Sequence, residues 1–269
     1  MEEKYPLISV IMSEYNTDIN LLNESIKSIL NQTYKNFELI IIDDCGSNDV
    51  GEVVKKFNDT RIKVYKNECN KGLVYSLNRA IDLCEGNYIA RMDTDDYSYP
   101  NRLEVQIDFM LNNPEYDIVG SRCEYFDGNE IWGENKDFGI ITREKILRGC
   151  PLTHPSLMYK KQCMQSVGGY LNYIRCEDYA TWIELFSKGY KMFIINEVLL
   201  RFHLSLNDYK KRNLKSRKGF FQVLKTEYKK LNPSRKDIFK IYLKNIIAGV
   251  IPGKMLYSYQ KRVFKKGSF

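Results

Sequence analysis

The chain has 269 residues, of which 43% are hydrophobic and 28% charged, with a formal charge of +7. That length and composition suit one large α/β domain, with or without an appendage, and exclude a disordered, collagenous or disulfide-scaffold protein. No apolar run approaches the roughly 18 residues needed to span a membrane, and Met1–Pro6 carries acidic residues where a signal peptide would be basic.

Leu7–Met12 is a continuous apolar run and predicts a strand buried on both faces, as in a parallel sheet. Thr17 or Asp18 can cap a following helix carrying Ile19, Leu22, Ile26, Ile29 and Leu30 at helical spacing. Phe37–Ile42 is a second buried strand that ends in Asp43-Asp44. A helix near 49–58, a strand at 62–65, a helix at 73–84 and a strand at 88–92 follow, the last running into Asp93-Thr-Asp-Asp96. Strands alternating with helices imply right-handed crossovers and an open, mostly parallel sheet of Rossmann-like type. Ligands of such sheets sit beyond the carboxyl ends of the strands. Ser13–Asn16, Asp43–Asp44 and Asp93–Asp96 all fall at such ends.

After about residue 113 the pattern loosens. Tyr116–Ser121 predicts a strand, 122–150 strands and loops, and a helix runs from near Lys160 to Gly168-Gly169. Glu177–Lys188 predicts a helix with Trp182, Leu185 and Phe186 on one face, followed by short strands at 192–195 and 198–202. From about 206 the chain reads as two or three basic amphipathic helices interrupted at Pro233 and Pro252. Residues 201–269 carry 19 Lys and Arg against 3 Asp and Glu, whereas residues 1–200 carry 22 against 31. The +7 therefore conceals an acidic body and a strongly basic tail. Such asymmetry points to a solvated face or to an anionic partner, either a membrane surface or nucleic acid.

The seven cysteines are odd in number and none are spaced C-x-x-C, which argues against a disulfide framework or zinc site and suits a reducing cytoplasm. With only His154 and His203 available, a metal site must lean on carboxylates, favouring Mg²⁺ or Mn²⁺. Asp93, Asp95 and Asp96 fit equally a turn with capping carboxylates or a divalent-cation site, since crowded carboxylates repel unless neutralised. Asp43 and Asp44 can serve turn chemistry or accept from a base or ribose, and Tyr15 can pack or stack on a ring. Glu177-Asp178 opens a helix, where acidic residues complement the dipole, or supplies a general base. Residues adjacent on a helix point about 100° apart, so only one of the pair can act at a given atom.

Several segments, taken in order, resemble the family 2 glycosyltransferases of bacterial polysaccharide biosynthesis: Ile8–Asn16, Ser28–Asp44, Asn70–Gly72, Leu77–Ala80, Gly86–Asp96, His154–Ser156, Gly168–Tyr170, Glu177-Asp178 and Trp182. The likeness covers about residues 6–205 and implies a GT-A fold. It divides into a nucleotide-sugar half (1–113) and an acceptor half (114–205), followed by the basic helical tail (206–269). It implies a donor pocket drawn from Ser13, Tyr15, Asn16, Asp44, Asn70, Asp93 and Asp95. Mn²⁺ or Mg²⁺ would be held by Asp95, Asp96 and His203. Asp178 would be the catalytic base, with Glu177 beside it. Glu14 and Cys45 depart from the family pattern, and Glu14 puts a charge near the donor pocket. The implied reaction is inverting transfer of a sugar, with UDP the expected nucleotide, to a hydroxyl of a glycan or lipid-linked acceptor. The tail would then hold the enzyme on the cytoplasmic, anionic face of the membrane, with no nucleic-acid partner. Two other readings are a nucleotidyltransferase on a similar fold and a non-catalytic nucleic-acid binder. The first lacks a Gly-rich triphosphate loop at Ser13–Asn16; the second has no recognition motif and an acidic body.

Overall fold

A computed structural model describes residues 5–265. In chain order the elements are β1 (Ile8–Glu14), α1 (Ile19–Leu30), β2 (Phe37–Asp43), α2 (Val50–Lys55), β3 (Ile62–Lys66), α3 (Leu73–Leu83), β4 (Tyr88–Arg91), β5 (Tyr97–Ser98) and α4 (Arg102–Asn112). Next come β6 (Ile118–Asp127), β7 (Glu130–Glu134), β8 (Gly139–Ile140), α5 (Arg143–Leu147), β9 (Met158–Lys160), α6 (Lys161–Gln165), α7 (Glu177–Ser187) and β10 (Met192–His203). The tail holds α8 (Leu206–Lys210), α9 (Lys218–Lys225), α10 (Arg235–Val250) and α11 (Gly253–Val263).

Among the described residues ten strands form one sheet, with the main order β3-β2-β1-β4-β9-β6-β10-β5. β1 pairs in parallel with β2 and β4, and β2 with β3. β9 is antiparallel to both β4 and β6, and β6 is parallel to β10. β1, β2, β3, β4, β6 and β10 therefore all point the same way. Their carboxyl ends share one edge, and that geometry brings residues distant in sequence to a single site.

The parallel strands are apolar on both faces because helices cover both. One layer buries Ile8, Val10, Met12, Leu39 and Ile41 against Leu22, Ile26 and Ile29 of α1 and Leu103 and Ile107 of α4. The other buries Ile11, Ile40 and Ile42 against Leu77 and Ile81 of α3, and extends to Trp182 and Ile183 of α7.

Three features depart from the simple apolar pattern. α4 shows no clean apolar stripe because Arg102 and Gln106, both fully buried, form part of its inward face. Arg102 Nε donates to Gln106 Oε1 (3.0 Å), its Nη2 to the Arg91 carbonyl (2.8 Å), and Gln106 Nε2 to the Ser156 carbonyl (2.8 Å). The two short strands expected at 192–202 are one strand, β10, whose register against β6 shifts on either side of Val198; a bulge breaks the period-2 pattern there. The helix expected from Lys160 to Gly168 is shorter, since Met158–Lys160 joins the sheet and Gly168 and Gly169 adopt φ of 78° and 86°.

All seven cysteines are free. The tail breaks at Pro233 and Pro252 as expected, but it packs closely against the body. Val223, Leu224, Tyr228, Leu231 and Ile241 belong to the same buried cluster as Trp182, while Leu256, Tyr257 and Phe264 pack around Trp132 and Tyr209. Tyr228 Oη also donates to the Leu147 carbonyl at 2.8 Å. Among the described residues no helix is long and apolar enough to cross a membrane. Tyr228→Ala should therefore lower the unfolding free energy by about 3–5 kcal/mol, the usual cost of truncating a buried aromatic. Phe239→Ala, at a ring 66% exposed, should change it by less than about 0.5 kcal/mol. Urea unfolding of the two variants checks the contrast.

Candidate active site

The carboxyl ends of β1 and β2 are shaped by short polar contacts. Glu14, fully buried, turns its charge inward: Oε1 accepts from the Thr17 N–H (3.0 Å) and from Asn48 Nδ2 (2.8 Å). It thus clamps the loops after β1 and β2 together rather than facing a ligand. Asn16 sits at φ 57°, a left-handed conformation that Asn tolerates, and its Oδ1 accepts from the Ser47 N–H at 2.7 Å. A Cβ on Gly46 would lie 2.7 Å from the Asn16 nitrogen, so the close approach of these loops requires glycine. Tyr15 is left 51% exposed on the loop surface, and Ser13, at the end of β1, is half-buried.

Asp44 is buried with both oxygens engaged. Oδ1 accepts from Asn67 Nδ2 (2.6 Å) and the Lys71 N–H (2.8 Å), and Oδ2 from the Gly72 N–H (2.8 Å). It thereby fixes the loop that carries the exposed Asn70 into α3. Asp43 accepts from the Cys45 N–H at 2.9 Å and holds that residue at φ 58°.

β4 delivers the carboxylate cluster. Arg91, only 3% exposed, forms an ion pair with Asp93. Ser25 Oγ donates to the Asp93 carbonyl (2.7 Å), and the Thr94 and Thr17 hydroxyls are 2.7 Å apart, so the turn is pinned to α1 and the first loop. His203 closes the cluster from the end of β10. Its N–H donates to Asp96 Oδ1 (2.7 Å), and its Nδ1 lies 3.2 Å from Asp95 Oδ2. Burial, then repulsion from Asp93 and Asp95, pushes the Asp96 carboxyl well above the ordinary range. The Asp95 hydrogen bond is the main influence on His203 and draws its imidazole upward.

α7 starts at the same edge, since a helix running back from the sheet's carboxyl end presents its N-terminus there. Asp178 accepts from its neighbour's N–H, that of Tyr179, at 2.6 Å. The Cys150 thiol lies 3.7 Å from its other oxygen. Burial raises the Asp178 carboxyl above its usual value, opposed by that backbone bond and by Arg91. Glu177 is more buried, at 9% exposure. Burial and then Asp178 push its carboxyl up to about 7.

The structure thus gathers Asp93, Asp95, Asp96, His203, Glu177 and Asp178 around buried Arg91, with Tyr15, Asn16, Asp44 and Asn70 at the neighbouring strand ends. Arg91, Thr94 and Cys150 join the site without having been singled out from sequence. A charged residue inside the apolar strand Tyr88–Met92 was the available signal for Arg91. Cys150 carried none.

The Glycosyl transferase family 2 model matches residues 9–171. The chain belongs to the family 2 glycosyltransferases. It is 35% identical over 233 residues to an uncharacterized glycosyltransferase of Methanocaldococcus jannaschii, covering 83% of this chain and 80% of that one. It is 30% identical over 283 aligned positions to a UDP-Gal:alpha-D-GlcNAc-diphosphoundecaprenol beta-1,3-galactosyltransferase of Escherichia coli, covering 99% and 98% of the two chains. Among solved structures, the mannosyltransferase PcManGT of Pyrobaculum calidifontis, in complex with GDP-Man and Mn²⁺, aligns with a TM-score of 0.65 at 15% identity. That alignment covers 96% of this chain and 80% of that one, and it shows a shared GT-A fold.

A divalent ion suits the carboxylates of this glycosyltransferase. The Asp96 Oδ2 atom is buried without a hydrogen-bond donor, and the cluster's mutual repulsion calls for positive charge. Among the described residues no three acidic, histidine or cysteine side chains form a ready-made metal cage.

The raised Glu177 carboxyl makes the folded glycosyltransferase the better proton binder between the unfolded value of 4.5 and about 7. Its contribution favours folding at low pH and is lost as pH rises through that window. Thermal unfolding from pH 5 to 8 should therefore show a steeper loss of stability in the native protein than in Glu177→Gln.

Proposed function

We propose that this enzyme transfers a sugar from a nucleotide-sugar, with UDP as the nucleotide, to a hydroxyl of a lipid-linked glycan, with inversion at the anomeric carbon. The observation carrying this reading is the convergence of the β4 carboxylates with the Glu177-Asp178 pair around Arg91. The Escherichia coli relative, matched along nearly its whole length, is named for a UDP-sugar donor and a diphosphoundecaprenol-linked acceptor.

In this reading Ser13, Tyr15, Asn16, Asp44 and Asn70 form the wall against which the nucleotide lies, with Tyr15 stacking on the base. Asp93 and Asp95 receive the ribose. Carboxylates from Asp95 and Asp96, with His203 beside them, would hold Mn²⁺ or Mg²⁺, and the ion would supply positive charge next to the departing diphosphate. Asp178 takes the proton from the acceptor hydroxyl as that oxygen bonds to the anomeric carbon. The bond from that carbon to the diphosphate oxygen breaks, and its electron pair leaves with the nucleoside diphosphate. Attack from the face opposite the leaving group inverts the centre. The raised carboxyl of Asp178 suits this work, because a base is most effective when its pKa approaches the working pH. Glu177, about 100° around the helix, shapes the field at Asp178 instead of sharing its proton.

Asp178→Asn should lower turnover by about 10²–10⁴-fold, the usual contribution of a positioned base, with donor affinity nearly unchanged. Stopped transfer assays and nucleotide-sugar titration measure the two quantities, and near-normal turnover would sink the assignment. Titrating Mn²⁺ and Mg²⁺ into metal-stripped enzyme tests the ion requirement.

The tail supplies the membrane contact. α10 and α11 expose Phe239, Leu243, Ile246, Ile247, Val250, Met255 and Tyr259, beside the exposed cations Lys236, Lys240 and Lys254. Apolar residues set among cations fit a lipid interface better than a phosphate backbone alone, and anionic lipid adds about 1 kcal/mol per nearby cation. Deleting the tail would uncover the core, so point changes give the cleaner test. Phe239→Ser with Val250→Ser should weaken sedimentation with phosphatidylglycerol vesicles while leaving the folded spectrum intact.

A further inference from the structure

A second cleft, of about 450 Å³, lies between the loop before α7, the end of α8 and the start of α9. Among the described residues, Arg175, Lys211, Arg212 and Arg217 line it, and Asp208 is the one acidic residue there. Asp208 is already engaged: Oδ2 accepts from the Ser205 N–H (3.0 Å) and Oγ (2.7 Å), and Lys211 lies 3.4 Å from Oδ1. Among the described residues, Arg175, Arg212 and Arg217 have no acidic side chain within ion-pair distance. Arg212 instead stacks 4.4 Å over the Tyr209 ring. Arg217 Nη1 donates to Asn245 Oδ1, while its Nε is buried without a partner. Arg212 and Arg217 are half-buried and Arg175 and Lys211 exposed, and like charges gathered without acidic partners favour an anion that accepts from several of them.

Location narrows the choice of anion. Cys176, which lines the cleft, caps α7, and the next two residues are Glu177 and Asp178. Arg175 is held at φ 57°, a strained conformation for a long side chain. Arg217, which lines the cleft, reaches α10 through its hydrogen bond to Asn245. Leu214, 45% exposed, packs where a Cβ on Gly249 would meet it at 2.7 Å, and Ile246, Ile247 and Val250 continue the exposed apolar surface. A strongly anionic head beside the base and an apolar path leading outward describe a particular kind of molecule.

We propose that this cleft binds the diphosphate of a polyprenyl-linked acceptor, with the first isoprene units lying along Leu214 and α10. The proposal rests on the lipid-linked acceptor reading above. Three guanidinium groups and one ammonium suit two linked phosphates, each able to take paired N–H donors.

Farnesyl diphosphate in the presence of EDTA is a suitable probe, because it lacks the sugar and the metal that a donor site would use. Calorimetric titration should give saturable binding to the full-length protein that weakens at least about tenfold in Arg175→Gly with Arg212→Gln. Glycine accepts the φ of position 175, so the fold is kept. In transfer assays the same variant should raise KM for a diphosphate-linked lipid acceptor by about tenfold. The donor KM, and the rate with a phosphate-free alkyl glycoside acceptor, should stay within about twofold. No binding of farnesyl diphosphate would overturn the proposal. So would a rise in donor KM matching that for the acceptor, which would give the cleft to the donor's diphosphate. Asp178→Asn separates the two readings: it should keep farnesyl diphosphate binding while losing turnover. Binding that depends on the arginines, in a wild-type protein that transfers no sugar, would uphold the cleft and reject the function.

Discussion

Five carboxyl groups meet at one edge of the sheet, and one buried guanidinium lies among them. Arg91 pairs with Asp93 and acts at longer range on Asp96, Glu177 and Asp178. Its Nε and Nη1 are buried without partners, so its environment is tuned for charge balance rather than for full hydrogen bonding. Without that cation the cluster would lose its acidity further or spread apart, because burial and mutual repulsion both favour the neutral acid. The sheet, the helix start at Glu177 and the closure by His203 can all be read as the frame that keeps these groups together.

Much of that frame could be read directly from the chain. The runs Leu7–Met12 and Phe37–Ile42 are almost wholly apolar because both faces are covered, and each ends in polar residues that fall on the carboxyl edge of the sheet. Once three strands were placed in parallel, the convergence of Ser13–Asn16, Asp44 and Asp93–Asp96 followed from topology. α4 stayed hidden because its buried face uses Arg102 and Gln106 to serve backbone carbonyls. Pattern analysis counts such residues as surface, and only the tertiary contacts show otherwise. The continuity of β10 is hidden for a related reason, since its bulge near Val198 interrupts the alternation.

Charge was legible as position but not as direction. Glu14 reads from the sequence as a charge near the donor pocket; its Oε1 accepts from the Thr17 N–H and the Asn48 amide, and its Oε2 is buried without a partner. Asp44 reads as a donor-pocket residue, and its oxygens also shape the loop that carries Asn70. Both residues sit at strand ends, where one turn of χ decides whether a carboxylate serves the ligand or the scaffold. The tail shows the same ambiguity on a larger scale. Its cations were countable from sequence, whereas its anchoring by Tyr228 and Ile241 depended on contacts with a helix some fifty residues earlier.

The contact at Gly219 joins these parts. A Cβ there would lie 2.0 Å from the Ile174 carbonyl oxygen, so α9 sits directly against the loop leading to the Glu177-Asp178 pair. A lever hinged so tightly has little slack. Any displacement of α9 has a short route to the backbone that carries Glu177 and Asp178. The packing of the tail and the placement of the carboxylate pair are thereby mechanical neighbours, and a change at one is felt at the other.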